Sequence, residues 1–342
     1  PYRKRTIAYR SDATFRKNSI NNEFMKILAN DGISEKAIKT LDAAGFKVLT
    51  TKVAQNQLAN FINEEQVEIL LVRSATQAKK DLIDACSSLR LIGRGGVGMD
   101  NIDVAYAREK GIKVINTPNA SSHSVAELTF AHLFSGVRFL YDANRNMPLD
   151  GDTRFDALKK DYAKGQELKG KTLGIIGLGR IGKAVATIAL GLGMKVIAHD
   201  PLQSEATITL SFFDGRSLDF RIQTISKETL LKEADFVTLH IPAQQEVVIG
   251  EKEFQLMKDG VGIINVARGG VIDEEALLHA LEHEKVAFAG LDVFKGEPTP
   301  SIRILMHPRV SLSPHIGAAT LEAQERVGDE LAAQIIEAFG KI

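Results

Sequence analysis

The chain has 342 residues and a formal net charge of +0, with 43 basic and 43 acidic side chains. That balance gives no basic face for nucleic acid or an anionic membrane, and the length is too great for one small core and comfortable for two domains. The basic start, Arg3-Lys4-Arg5, leads into no apolar segment of signal-peptide length, no later run could span a bilayer, and the one cysteine, Cys86, can form no internal disulfide. The expectation is a soluble cytoplasmic protein with neither a nucleic-acid nor a membrane partner.

Residues 1–24 are polar and weakly patterned, an extension with room for one short strand. From Lys26 the pattern turns regular. KILAND is a strand and turn, Ser34 caps a helix running to Ala44, Gly45 stops it, and FKVLT is the next strand. Helix 54–63, strand 68–73, helix 79–87 and strand 89–94 continue the alternation. Such alternation predicts a mostly parallel sheet covered by helices. A glycine cluster, Gly93–Gly98, precedes helix 103–110 and strand 112–116, and Pro118 breaks that run. Residues 121–141 read as one long apolar-rich helix whose apolar side chains spread over more than one face. The stretch 146–168 is polar, with few apolar anchors: a solvated loop, or a segment that reaches onto a partner subunit.

Residues 171–200 are the most informative. Apolar Thr172–Ile176 enters Gly177-Leu178-Gly179-Arg180-Ile181-Gly182, a helical pattern follows over Lys183–Leu192, and a second apolar run, Met194–His199, ends at Asp200. Strand, glycine turn, helix, strand, acid is the unit that grips a dinucleotide. Gly177 permits the tight turn, Gly179 admits a pyrophosphate, and Gly182 lets the helix lie close. The helix start offers free N–H groups and a positive dipole end. Asp200, 18 residues past Gly182, can bind ribose hydroxyls and would repel a 2′-phosphate, so the expected cofactor is NAD rather than NADP. Alternating runs around Asp214-Gly215 then predict a hairpin with a type I′ turn, an ornament on this domain. Strand 234–242, helix 251–257, strand 261–266, helix 273–283, strand 286–293 and a final helix 321–339 complete the chain.

In open parallel sheets, ligands lie beyond the carboxyl ends of strands. Arg268 follows strand 261–266, Asp292 ends strand 286–291, Glu297 comes soon after, and His315 follows another short apolar run. Hydride transfer from a secondary alcohol needs a base for the hydroxyl proton and a cation for the developing oxygen charge. Histidine is the natural base, glutamate can orient its imidazole, and arginine can hold a carboxylate with two parallel bonds. Each also has an ordinary reading as surface charge, turn residue or structural histidine, and His240 reads equally as core or pocket lining. Spacing alone does not bring Arg268, Glu297 and His315 together.

Seven stretches together resemble one family. They are VRSAT (72–76), GRGGVGMDNID (93–103), INTPNASSHSVAEL (115–128), GKTLGIIGLGRIGKAVA (170–186), INVARGGVIDEEAL (264–277), AGLDVFKGEP (289–298) and SPHIGAAT (313–320). From about Lys26 to Phe339 the chain resembles the D-isomer-specific 2-hydroxyacid dehydrogenases, most of all the family's D-3-phosphoglycerate dehydrogenase branch. The resemblance implies that Arg268 binds the substrate carboxylate and polarises the C2 oxygen. His315 is then the acid–base, Glu297 its partner, and Asp292 the contact of the nicotinamide carboxamide. It places the substrate at Arg73, Ser74, Gly95, Gly96, Val97, Gly98 and Asn101, with the glycine loop offering backbone N–H groups. The cofactor contacts are expected at Gly177, Gly179, Arg180, Ile181, Gly182, Asp200, His240, Pro242, Ala267 and Asp292. No metal is called for.

The implied fold is α/β: two Rossmann-like parallel-sheet domains, the dinucleotide-binding one inserted into the substrate-binding one. Residues 1–116 plus 317–342 would form the substrate domain, and 117–316 the NAD-binding domain with a dimerisation helix and loop over 121–168. The implied reaction is NAD-dependent oxidation of D-3-phosphoglycerate to 3-phosphohydroxypyruvate, the first committed step of serine synthesis. One alternative is a dehydrogenase or reductase for lactate, glycerate/hydroxypyruvate, glyoxylate or 2-hydroxyglutarate; another is an NAD-sensing corepressor-like protein. Long members of the branch carry serine-sensing domains, so serine feedback through such a domain is not expected here. A homodimer that stops short of a tetramer is expected.

Overall fold

The computed structural model describes residues 24–340. The strand expected in the N-terminal extension falls outside them. Five short strands, β1 (Lys26–Ala29), β2 (Lys47–Leu49), β3 (Ile69–Val72), β4 (Leu91–Arg94) and β5 (Lys113–Asn116), pair in parallel in the order β2-β1-β3-β4-β5. Downstream come β6 (Thr172–Ile176), β7 (Lys195–His199), an antiparallel pair β8 (Glu205–Ser211) and β9 (Ser217–Gln223), then β10 (Phe236–Leu239), β11 (Val261–Asn265), β12 (Val286–Leu291) and β13 (Val310–Leu312). Their six-stranded parallel sheet runs β13-β12-β11-β10-β6-β7. The protein is therefore built on two Rossmann-like parallel sheets.

Each sheet is buried on both faces, which is why its strands read as continuous apolar runs rather than alternating ones. In the first sheet, Leu28, Leu70 and Ile92 face Leu58, Ile62 and Leu82 on one side. On the other, Ile27, Ile69 and Ile115 pack against Leu41 and against Val327, Leu331 and Ile335 of the C-terminal helix Leu321–Phe339. Ser34 caps the helix Glu35–Ala43 by accepting from the Ala37 amide, and Gly45 leaves it at φ +93°. Cys86 packs inside this first core, where burial pushes its thiol up to about 11. No helix among the described residues is long and apolar enough to cross a membrane.

Two local expectations are corrected. The apolar run 121–141 is two helices, Ser122–Val137 and Leu140–Asp150, broken where Phe139 turns to φ +55°. The polar stretch after it is folded rather than a loop. A helix over Phe155–Asp161 and a 3₁₀ turn over Tyr162–Lys164 return to the domain, with Leu158 and Leu168 as the two buried anchors. The Tyr162 hydroxyl donates to Asp142 at 2.9 Å, closing the arm on itself.

The hairpin is present, but its turn is not type I′. A type I′ turn needs positive φ at both central residues. Here only Gly215 is left-handed, at φ +84°, and its amide bonds the Phe212 carbonyl at 3.0 Å. Phe213 and Asp214 are thus the central pair, and the Asp214 carboxylate holds the turn by accepting the Arg216 amide at 3.1 Å. Ala206, Ile208 and Ile222 seat the ribbon in the core beside Val185 and Ala189.

Candidate active site

The second sheet reverses its winding beside β6, and the glycine turn opens there. Gly177 stands at φ +93°, and a Cβ on it would lie 2.5 Å from the His240 carbonyl. Gly182 lies so close to the turn that a Cβ would meet the Gly177 carbonyl at 2.0 Å, while Gly179 faces open space. The helix Arg180–Gly191 starts without a side-chain cap, so its first amides remain available to phosphate oxygens. Asp200, just past β7, accepts the Leu178 amide at 2.8 Å through one oxygen and the Leu202 amide at 2.8 Å through the other. This carboxylate is fixed against the glycine turn.

Arg180, Ile181, His240, Pro242, Ala267, Arg268, Asp292 and His315 line a cavity of about 340 Å³ beside that turn. His240 bonds Thr238 through Nε2 at 3.0 Å, and its Nδ1 is buried without a partner. Burial drives the imidazole down to about 3, so it stays neutral near pH 7. The residues present fit a dinucleotide: a backbone cradle, a carboxylate fixed beside it at the end of β7, and an orphaned polar atom on a cavity-lining residue.

A polar cluster lies beyond the ends of β11, β12 and β13. His315 Nδ1 lies 2.8 Å from Glu297 Oε2, and the other Glu297 oxygen accepts the Phe294 amide at 2.8 Å. A carboxylate only accepts, so Nδ1 carries the proton and Nε2 is left to exchange one with a ligand. Asp292 is fully buried. It accepts the Ser313 hydroxyl at 2.6 Å and the Ile316 and Gly317 amides at 2.8 and 2.9 Å. Arg268 donates through Nε to Asp100 at 2.8 Å and through Nη1 to the Ala267 carbonyl at 2.6 Å. Its remaining nitrogen lies in the space a Cβ on Gly98 would fill.

The first sheet supplies the opposite wall. Arg73, Ser74, Gly95, Val97 and Gly98 line the same cavity. Arg73 and Ser74 also line a wider one of about 1210 Å³, together with Lys52, Glu297 and His315. The Arg73 loop is held by Asp31, which accepts the Arg73 and Thr76 amides at 2.6 and 3.1 Å. In the glycine loop the amides of Gly95 and Gly96 are spent on the Val72 and Arg94 carbonyls. Only those of Val97 and Gly98 remain for a ligand. Asn101 lines neither cavity. It is buried, and its amide donates to the Arg73 and Thr76 carbonyls at 2.8 and 2.6 Å, so it shapes the loop from behind.

One charged residue lining the smaller cavity escapes a reading of the sequence: Arg94, at the end of β4. Its Nε is buried without a partner, and its guanidinium fills the space a Cβ on Gly96 would need. Burial, with the charges of Arg268 and Arg73 nearby, lowers it to about 10, so it remains a cation at neutral pH. Its signal in the sequence was an arginine directly ahead of Gly95-Gly96, at the carboxyl end of a buried strand.

The sequence profile described as "D-isomer specific 2-hydroxyacid dehydrogenase, NAD binding domain" matches residues 130–317. A hydroxypyruvate reductase of Thermotoga maritima is 42% identical over 321 residues, 92% of this chain and 98% of that protein. The chain belongs to the D-isomer specific 2-hydroxyacid dehydrogenase family. At family level it is an NAD-dependent D-2-hydroxyacid dehydrogenase. A D-3-phosphoglycerate dehydrogenase of Methanocaldococcus jannaschii is 41% identical over 91% of this chain, which spans 57% of that protein's length. The solved glyoxylate reductase of Paecilomyes thermophila superposes with a TM-score of 0.76 at 30% identity, covering 93% of this chain and 97% of its own.

Two outcomes follow for this dehydrogenase. The unfolded chain takes up a proton at His240 near 6.5 while the folded one does so only near 3, so stability falls as pH drops below 6.5. The slope from this residue is at most about 1.4 kcal/mol per pH unit. Urea unfolding of His240→Gln should lose less stability between pH 7 and pH 5 than the unsubstituted protein; equal losses would show that His240 does not couple to folding. The second concerns Asp200. NAD should be strongly preferred over NADP in steady-state kinetics, and Asp200→Ala should narrow the preference by removing the repulsion. Equal efficiency with both cofactors before substitution would overturn this.

Proposed function

We propose that this chain interconverts a small 2-oxo acid and its D-2-hydroxy acid with NAD(H), with hydroxypyruvate and D-glycerate as the preferred pair. Residues 117–316 act as the cofactor domain inserted into the substrate domain. The observation that carries the reading is the His315–Glu297 pair, whose histidine shares one cavity with four arginines, Arg268 and Arg94 among them. The likeness to the hydroxypyruvate reductase and the glyoxylate reductase supports the choice of a small, unphosphorylated acid.

Bound nicotinamide would supply the hydride to C2 in reduction and accept it in oxidation. The rest falls to the chain. The free nitrogen of Arg268 and the amides of Val97 and Gly98 hold the carboxylate, and Arg268 draws charge from the C2 oxygen. His315 Nε2 gives that oxygen its proton in reduction and takes it back in oxidation, while Glu297 keeps the ring in place. Asp292 turns its remaining acceptor capacity toward the nicotinamide carboxamide.

A second reading, 3-phosphoglycerate, is favoured by Arg73 and Lys52 on the wall of the larger cavity. A substrate panel at saturating NAD(H) decides between them. Hydroxypyruvate should exceed 3-phosphohydroxypyruvate in kcat/KM, and His315→Ala should lower turnover at least ~100-fold. A larger kcat/KM for the phosphorylated acid, lost selectively in Arg73→Ala, would establish the second reading. NADH binding without turnover of any 2-oxo or 2-hydroxy acid would point to the NAD-sensing alternative.

We further propose a homodimer through the arm. Phe134, Leu140, Leu149 and Phe155 are exposed on its three helices, an apolar face that a second copy would cover. Sedimentation at micromolar concentration should give twice the chain mass, and Leu149→Asp should shift it toward one. A single-chain mass for the unsubstituted protein would refute the dimer.

A further inference from the structure

A histidine outside the reactive cluster is joined to it through one serine. His132 sits on the helix Ser122–Val137, packed over β12 where a Cβ on Gly290 would meet the His132 Cβ at 2.6 Å. It is 4% exposed. Nδ1 lies 2.9 Å from the Ser311 hydroxyl, and Nε2 lies 2.8 Å from the Ser313 hydroxyl. The Ser313 hydroxyl in turn donates to Asp292 at 2.6 Å.

The donors in this chain can be assigned by elimination. Ser313 has one hydroxyl proton, and the Asp292 carboxylate can only accept it. Ser313 must therefore accept from His132, so Nε2 carries the hydrogen. Nδ1 of a neutral ring then accepts, and Ser311 donates to it. Burial favours the neutral ring, against the opposing pull of the Asp292 charge. With the ring neutral, this is the one arrangement in which His132, Ser311, Ser313 and Asp292 all find their partners.

That arrangement reaches the reacting group. Ser313, Ile316 and Gly317 all donate to Asp292, and the His315 amide donates to the Asp292 carbonyl at 2.8 Å. The same helix holds the far end of this segment, where the Ser124 hydroxyl donates to the Gly317 carbonyl at 2.6 Å. We infer that His132 is a positioning residue for catalysis: its Nε2–H fixes the Ser313 hydroxyl on Asp292, which sets the carboxylate and the segment that presents His315. His132 touches neither cavity and acts only through Ser313. This rests on the reading of His315 as acid–base and Asp292 as the nicotinamide contact.

The test is a double-mutant cycle with a donor-retaining variant. His132→Leu removes the donor, His132→Gln keeps an N–H near the position of Nε2, and Ser313→Ala removes the link. With hydroxypyruvate and NADH, His132→Leu should lower kcat about 10-fold with KM for the oxo acid within about twofold, and His132→Gln should recover most of it. Ser313→Ala should match His132→Leu, and the double variant should be no worse than either alone. NADH dissociation constants, read from the cofactor's own emission because the chain has no tryptophan, should rise and recover in the same order. In ¹⁵N-histidine spectra of the unsubstituted protein, His132 should be the neutral Nε2–H tautomer at pH 7–8.

Additive losses, equal damage from leucine and glutamine, unchanged kcat and NADH binding in folded His132→Leu, or an Nδ1–H tautomer would each overturn the inference. If His132→Leu does not fold, His132→Gln, Ser313→Ala and the tautomer still decide it. His315→Ala run alongside separates the two readings: normal turnover there sinks the acid–base assignment, whereas the tautomer and NADH binding still judge His132.

Discussion

A buried carboxylate is tolerated only when donors replace the water it has lost, and the cleft end of the second sheet is organised around one such group. Asp292 is 1% exposed, and its donors all come from the segment 313–317. Pulling that segment away would strand the charge, so the segment is pinned where a loop would otherwise drift. His315 lies in the middle of it at φ +55°, a backbone state that a non-glycine residue adopts only when its surroundings impose it. The pin thus supplies the constraint that aims the imidazole, and Glu297 then fixes the ring's remaining rotation.

The sheets were legible from the sequence because buried parallel strands must be apolar throughout, and the dinucleotide turn because only glycine fits its backbone. Asp292, Glu297 and His315 could be placed at strand ends by counting. What stayed hidden was decided by contacts between distant parts of the chain. Arg94 reads as an ordinary charge at a strand end; its guanidinium fills the niche at Gly96, and the like charge it meets there is Arg268, 174 positions away. Asn101 sits in a stretch that the family resemblance sets near the substrate, yet its amide is consumed by the carbonyls of Arg73 and Thr76. His132 looks like a core residue of an apolar helix, and its partners lie 179 and 181 positions on. The arm failed for another reason: two leucines sufficed to anchor a polar stretch whose helices otherwise satisfy themselves locally.

Both sides of the cleft mix charges. The second sheet contributes Asp292 and Glu297 with Arg180 and Arg268, and the first contributes Arg73, Arg94 and Lys52 with Asp31. Arg268 bridges them: it belongs to the second sheet's edge but is tied to Asp100 in the first, at 2.8 Å. That ion pair and the Ala267 carbonyl occupy Nε and Nη1 and leave Nη2 toward Gly98. An unpartnered buried donor costs about 1–3 kcal/mol. Arg94 Nε bears such a cost, and the His240 ring leaves a second polar atom unpaired beside the cofactor cradle. Both belong to residues that line the smaller cavity. The hydroxyls of Thr117 and Ser122 are buried without partners as well, but only Arg94 among these groups is a cation, so the positive charge gathered by Arg94 and Arg268 at the cavity is the one imbalance that an anion would answer.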